Sequence, residues 1–241
     1  MDEGRTAIVT GAGKRIGEAL AHRLSGQGWT VIANVRPGSS APAGARAAPA
    51  DLGTPDCAER IFAACDGLPP VRLLINNGAR FAWDTLGEFS AAEFDAHMHV
   101  NVRAPLLLTE ALAARHGDGD ALVVNILDAK LQAPNPDFLS YTVSKQALAG
   151  ATELAARALA GKGIRVNAIA PALMLRSNGQ SEQNYRAMHA ANPLGRGVVV
   201  DDIFAALDYL LAARSVTGEV LTIDGGQRFA PPQRDVQFLE A

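Results

Sequence analysis

Short apolar runs alternate along the chain with longer stretches in which apolar residues recur every three or four positions. Strands are expected at Thr6 to Thr10, Trp29 to Val35, Arg72 to Asn76, Ala121 to Leu127, Arg165 to Ala170 (ending at Pro171) and Val220 to Asp224. Helical spacing falls at Ile16 to Ser25, Pro55 to Cys65, Ser90 to Arg115, Tyr141 to Ala160 and Asp201 to Ala212. Ser90 and Glu93 fit a capping box at the start of the longest helix, and Pro105 is expected to kink it. Pro37 to Pro49, rich in Pro, Ala, Gly and Ser, reads as a loop or a weak, variable element.

Strict strand–helix alternation predicts an α/β fold, a parallel sheet with helices on both faces. With no internal repeat and no linker, residues 1–241 form one expected domain. Ligands of such sheets bind beyond the carboxyl ends of the strands. The residues that collect there are Gly11 to Gly17, Asn34 to Arg36, Asp51, Asn76 to Phe81, Asp128 and the stretch from Pro171 onward.

Composition narrows the function. A formal charge of −3 gives no electrostatic case for nucleic acid, and no apolar run reaches the about 20 residues of a membrane span. The acidic start leads directly into the first strand, so no secretory leader is expected. Cys57 and Cys65 fall on one expected helix, too far apart along its axis to bond, which points to a reducing, cytoplasmic setting. His97 and His99 stand two apart on a helix and do not face each other, so no metal site is expected.

The first strand runs into Thr10-Gly11-Ala12-Gly13-Lys14-Arg15-Ile16-Gly17. Glycines permit a tight turn and close approach of a pyrophosphate to the next helix N-terminus. The spacing is not G-x-G-x-x-G, because Ile16 precedes Gly17. At the end of the second strand an acidic residue would bind the ribose 2′-hydroxyl of NAD, and a basic one would suit a 2′-phosphate. Asn34, Val35 and Arg36 contain no carboxylate, and Lys14 and Arg15 add positive charge, so NADPH is expected rather than NADH.

Tyr141 and Lys145 lie one helical turn apart. An ammonium near a phenol favours the phenolate, so Lys145 is expected to lower the Tyr141 pKa and make it a proton donor near neutral pH.

The glycine turn, Asn76-Asn77-Gly78-Ala79, Asn101, Tyr141-x-x-x-Lys145, Val216-Thr217-Gly218 and Asp224-Gly225-Gly226, in this order, resemble a short-chain dehydrogenase/reductase over essentially the whole chain. The resemblance implies a single Rossmann domain with a seven-stranded sheet and a homotetramer. Arg15 stands where most members have glycine, and Asp128 where most have the catalytic serine. Both departures are shared by pteridine reductases and bacterial dihydromonapterin reductases.

The resemblance also assigns roles. Tyr141 would be the proton donor, Lys145 would hold the nicotinamide ribose, and Asn101 would link Lys145 to a water chain; Asp128 completes the catalytic set. Cofactor contacts are expected from Gly11, Lys14, Arg15, Ile16, Gly17, Asn34 and Arg36. Others are expected from Asp51, Leu52, Asn77, Gly78, Tyr141, Lys145 and Pro171. Substrate contacts are expected from Arg15, Phe81, Asp128, Tyr141 and Leu173. Phe81 is a pterin-stacking face or a core aromatic by its residue type, and the subgroup's pattern favours stacking.

An ionised carboxylate accepts hydrogen bonds and would repel an alkoxide. Asp128 therefore suits a substrate with N–H groups, or one protonated at nitrogen, and a pterin offers both. Burial would raise the Asp128 pKa and make it a proton source or relay. The expected activity is NADPH-dependent reduction of a dihydropterin; the alternatives are a carbonyl reductase acting on a 3-oxoacyl group, a quinone or a sugar, and a non-catalytic NADP-binding regulator. Residues 172–200 should form a substrate flap, with Met188 and Leu194 closing over the ligand. The tail 229–241 is either a disordered end or a segment that packs on a neighbouring subunit.

Overall fold

The structure, a computed structural model, describes residues 4–176 and 179–239. Seven parallel strands make one sheet: β1 (Thr6–Val9), β2 (Thr30–Val35), β3 (Ala45–Pro49), β4 (Val71–Asn76), β5 (Ala121–Ile126), β6 (Ile164–Pro171) and β7 (Val220–Ile223). Their spatial order is β3-β2-β1-β4-β5-β6-β7. The helices are α1 (Arg15–Gly26), α2 (Cys57–Ala63), α3 (Ala91–Met98), α4 (Ala104–Arg115), α5 (Leu139–Leu159), α6 (Glu182–Ala190) and α7 (Val200–Ala212).

The period-two pattern of the strands explains the layering. Ala7, Val9, Leu73, Ile75, Leu122 and Val124 pack on one face with Leu20 and Leu24 of α1 and Ile203 and Leu207 of α7. The alternate residues Ile8, Ile32, Leu74 and Val123 pack on the other, with Ile61 and Phe62 of α2 and Leu108 and Leu112 of α4. Both faces are apolar, so the strands read as nearly continuous hydrophobic runs, as a sheet covered on both sides requires.

The chain runs outward from β1 to β3, then returns to place β4 on the other side of β1. This reversal opens a crevice at the carboxyl ends of β1 and β4, the usual ligand position in such sheets.

Three expectations need correction. The stretch read as a loop or weak element contains β3, paired with β2 from Val31–Ala45 to Val35–Pro49. It is the edge strand, where proline is tolerated because one side has no ladder to feed. The long helix is interrupted by a π-helical segment, His99–Arg103. Pro105 falls in the first turn of α4, just after this π-helical segment, whose residues are already helical, so its missing N–H removes one bond from a continuous helix. The capping box is half formed: Ser90 accepts from the Glu93 N–H, while the Glu93 carboxylate pairs with Arg80. Helix α6 carried no clear sequence signal.

Among the described residues no helix is long and apolar enough to cross a membrane. No group of three or more His, Cys, Asp or Glu among them could hold a metal. His97 is buried between the Glu93 carbonyl, 2.9 Å from Nδ1, and the Ala82 N–H, 3.3 Å from Nε2. Cys57 and Cys65 are free and buried, and burial pushes the Cys65 thiol up to about 11.

Candidate active site

The crevice is tight. Gly11 has φ +63°, and a Cβ there would meet the Gly78 Cα at 2.7 Å. A Cβ on Gly17 would meet the Gly11 carbonyl oxygen at 2.3 Å. The Thr10 hydroxyl accepts the Asn77 and Gly78 N–H groups, each at 2.9 Å, and the Asn77 amide donates to the Thr10 carbonyl at 2.9 Å. Leu52 packs against Gly78 so closely that a Cβ there would meet its Cδ1 at 2.5 Å. Thus Gly11, Gly17, Leu52, Asn77 and Gly78 come together at the crevice.

Helix α1 begins here, and its N-cap Lys14 makes no side-chain cap, so the first-turn N–H groups stay available to an anion. These features fit a dinucleotide: backbone lies bare at the turn, a helix N-terminus points into it, and exposed Lys14 and Arg36 flank the end of β2.

Asn34 does a different task from the one expected. Its Oδ1 accepts the Gly11 N–H at 3.3 Å, and its Nδ2 donates to the Ala48 and Ala50 carbonyls at 3.2 and 3.1 Å. Its amide is spent fastening the glycine turn to β3. Asp51 is exposed and accepts the Gly53 N–H at 2.8 Å, shaping its own loop. Pro171 ends β6 opposite Ile223.

Arg15 has φ +57°, a left-handed conformation that favours glycine. Its guanidinium reaches across to the carbonyls of Arg176 (3.1 Å) and Leu175 (3.3 Å), on the expected flap. Ser177 and Asn178 of that segment lie outside the described residues. Leu173 is partly buried, and Met174 is buried with its carbonyl accepting the Tyr185 hydroxyl at 2.8 Å. Met188 is half-buried in α6, and Leu194 is exposed.

Beyond β5, Asp128 leads into a short turn of helix, Ala129–Gln132. Its Oδ1 accepts the Lys130 N–H at 2.8 Å, and its Oδ2 accepts the Tyr141 hydroxyl at 2.9 Å. Tyr141 is delivered by α5, whose start is anchored by a residue the sequence reading missed. Buried Asp84 accepts both the backbone N–H (2.9 Å) and the hydroxyl of Ser140. A carboxylate there also suits the positive end of the helix.

The electrostatics reverse one expectation. Lys145 donates to the Ile126 carbonyl at 2.6 Å, and its ammonium lies 5.7 Å from the Tyr141 ring centroid. The hydroxyl of Tyr141 faces a carboxylate instead. Burial, and then the Asp128 charge, push the Tyr141 pKa well above its ordinary value, so the phenol is held as a protonated donor. Burial also raises Asp128, as expected, outweighing its hydrogen bonds from Lys130 and Tyr141. Burial lowers Lys145 to about 8.

Asn101 sits in the π-helical segment, a feature frequent at functional sites. Its Oδ1 accepts the Arg80 N–H at 2.7 Å, and its Nδ2 donates to the Arg80 carbonyl (3.0 Å) and the Ser144 hydroxyl (2.9 Å). It thereby ties the loop that carries Phe81 to α5 beside Lys145. Phe81 stacks on Phe138, with centroids 4.3 Å apart and planes at 15°, and meets the Tyr141 ring edge-on at 4.7 Å. Phe81 remains 47% exposed, leaving part of its ring free to meet a ligand.

The tail, up to residue 239, folds onto this chain's own site. Arg234 donates two hydrogen bonds to Asp137, at 2.7 and 2.8 Å, and the Asp235 N–H adds a third at 2.8 Å. Phe238 stacks on Phe138 at 6.1 Å. No local signal marks these partners, since Asp137 and Arg234 stand 97 residues apart.

The parallel sheet, the glycine turn and the Asp128–Tyr141–Lys145 cluster define a short-chain dehydrogenase/reductase. A family model described as Enoyl-(Acyl carrier protein) reductase matches residues 11–228, and the chain belongs to the short-chain dehydrogenase/reductase family. Its relatives include a dihydromonapterin reductase of Klebsiella pneumoniae, 33% identical, with 92% of this chain and 96% of that protein covered. They also include an L-xylulose reductase of Bos taurus, 31% identical, with the same shares covered. Among solved structures, the FolM alternative dihydrofolate reductase 1 of Brucella suis in complex with NADP superposes with a TM-score of 0.88 at 33% identity. That match covers 98% of this chain and 99% of the other.

Proposed function

We propose that the protein is an NADPH-dependent reductase that converts a dihydropterin to a tetrahydropterin. The observation that carries this reading is the 2.9 Å hydrogen bond from the Tyr141 hydroxyl to Asp128. Where a carbonyl reductase needs a donor beside its developing oxyanion, this site has a carboxyl. A carboxylate accepts N–H groups, which a pterin presents. Similarity to a dihydromonapterin reductase and to a FolM dihydrofolate reductase supports it.

When bound, the cofactor would supply the hydride. Tyr141 delivers a proton to the substrate nitrogen. Asp128 orients the substrate's N–H edge while ionised. Once protonated from solvent, a form its burial favours, it returns that proton to the Tyr141 phenolate and is left ionised again. Phe81 offers the exposed part of its ring to the substrate ring. Lys145, with one N–H committed to Ile126, turns its remaining donors toward the nicotinamide ribose. The N-terminus of α1 holds the pyrophosphate, and Arg36 and Lys14 neutralise the 2′-phosphate, which NADH lacks. Asn101 keeps Phe81 and Lys145 in register, and its water link to Lys145 belongs to this proposal. So do a cytoplasmic setting, supported by the two buried free thiols, and a homotetramer, for which Leu106 and Leu154 supply exposed apolar surface.

The L-xylulose reductase similarity favours a second reading, reduction of a sugar carbonyl. NADPH oxidation followed with dihydromonapterin, dihydrobiopterin, dihydrofolate, L-xylulose, a quinone and an acetoacetyl thioester separates the two. Turnover of dihydropterins is expected; turnover of only the carbonyl compounds would overturn the pterin reading.

A further inference from the structure

The C-terminal segment joins the two sides of the substrate site. On the catalytic side, Arg234 and the Asp235 N–H grip Asp137. On the flap side, the Asn184 amide of α6 donates to the Leu239 carbonyl at 2.6 Å. Between them Phe238 extends the Phe81–Phe138 stack. The segment is therefore a wall beside the stacked Phe81 and Phe138, running from Asp137 to α6.

That wall carries a carboxylate its own docking does not require. Among the described residues, Oδ1 of Asp235 accepts only the local Gln237 N–H, at 3.1 Å. Oδ2 lies 3.7 Å from the Lys130 Nζ, ion-pair distance but longer than a hydrogen bond. Lys130 is itself divided, because it donates to the Asp137 carbonyl and also feels Asp128. Arg234 gives its Nε and Nη2 donors to Asp137. Asp128 faces the ammoniums of both Lys145 and Lys130, whereas Asp235 faces that of Lys130, in a largely dehydrated space. What Asp235 has in surplus is acceptor capacity, which a ligand rich in N–H donors would satisfy.

We propose that Asp235 is a specificity-determining residue of the substrate site, a second carboxylate that takes N–H donors of a nitrogen heterocycle seated on Phe81. This rests on the pterin reading and extends it: Asp128 reads one donor group, and the C-terminal wall reads another. The charge of Asp235 also reaches the Tyr141 hydroxyl, which places it on the reacting side of the wall.

The test compares wild type with Asp235→Asn, which keeps the shape and an oxygen for the Gln237 N–H but replaces an acceptor with a donor. Expected is a rise in the KM for dihydrobiopterin of at least ten-fold, with kcat within two-fold and the L-xylulose KM, where measurable, unmoved. The NADPH Kd and the fluorescence of Trp83, whose ring lies 6.3 Å from Phe238, should not change, showing a folded protein with its tail in place. If Asp235→Asn binds NADPH poorly, Asp235→Ser, which retains an acceptor for Gln237, repeats the measurement. An unmoved dihydrobiopterin KM in a variant with normal NADPH binding overturns this inference alone, as does an equal rise for both substrates. A wild-type enzyme that reduces no pterin overturns the pterin reading and this inference with it.

Discussion

Tyr141 donates its hydroxyl proton to Asp128 across 2.9 Å, while Lys145, one helical turn along, is bonded to the carbonyl of Ile126. The phenol thus faces a carboxyl, and on the proposed reading the pair serves delivery of a proton to nitrogen rather than stabilisation of an oxyanion.

Asp128→Ser tests that distinction. The hydroxyl would donate to an oxyanion but would lose the carboxyl's second acceptor. The kcat/KM for dihydrobiopterin is expected to fall by about 10²-fold or more, the range of a lost acid–base group. Activity toward L-xylulose should rise relative to it. Steady-state NADPH oxidation measures both, and an unchanged ratio would remove Asp128 as the selector.

Arg36 is exposed at the end of β2 with no carboxylate beside it on that strand. Arg36→Asp should weaken NADPH binding by about 10- to 100-fold, the worth of a charge-assisted contact, and leave NADH nearly unaffected. Fluorescence titration with both nucleotides checks this. Equal affinities before and after would mean that the 2′-phosphate is held elsewhere.

Arg15 combines a strained backbone with a useful reach. Arg15→Ala and Arg15→Gly both lose the bonds to Leu175 and Arg176, but only glycine relieves φ +57°. The glycine variant should be the more stable of the two by about 1 kcal/mol. Urea unfolding resolves the difference, and equal midpoints would mean that the turn relaxes.

Lys145 links stability to pH. Its folded pKa, about 8, lies below the ordinary 10.5, so the unfolded chain binds this proton first. As pH falls from about 10.5 to about 8, the wild type should lose stability relative to Lys145→Met, and the difference should level off below. Urea midpoints of both proteins across that range provide the measurement; a constant difference would contradict the lowered pKa.

Much of the fold was legible because a sheet covered on both faces writes itself as apolar runs between amphipathic helices. Strand β3 was not, since an edge strand of Ala, Arg and Pro has little apolar signal and is formed by its pairing with β2. The π-helical segment was hidden because its sequence continues the helical period, and its register is set by what Asn101 must reach. Asn34 was placed at the right strand end but given a ligand's role, because a sequence does not reveal which carbonyls an amide will meet.

By itself the sequence determined the parallel α/β architecture and the glycine turn, because these depend on local spacing, and its resemblance to a known family singled out Asp128, Tyr141, Lys145 and Phe81 as candidates. Tertiary structure decided what those groups do to one another. It turned the Tyr141 hydroxyl toward Asp128 rather than Lys145, and it brought Asp84, Asp137, Arg234 and Asp235 to the site. Burial and charge pairing act through space between residues far apart in the chain, so neither is written in any local stretch of it.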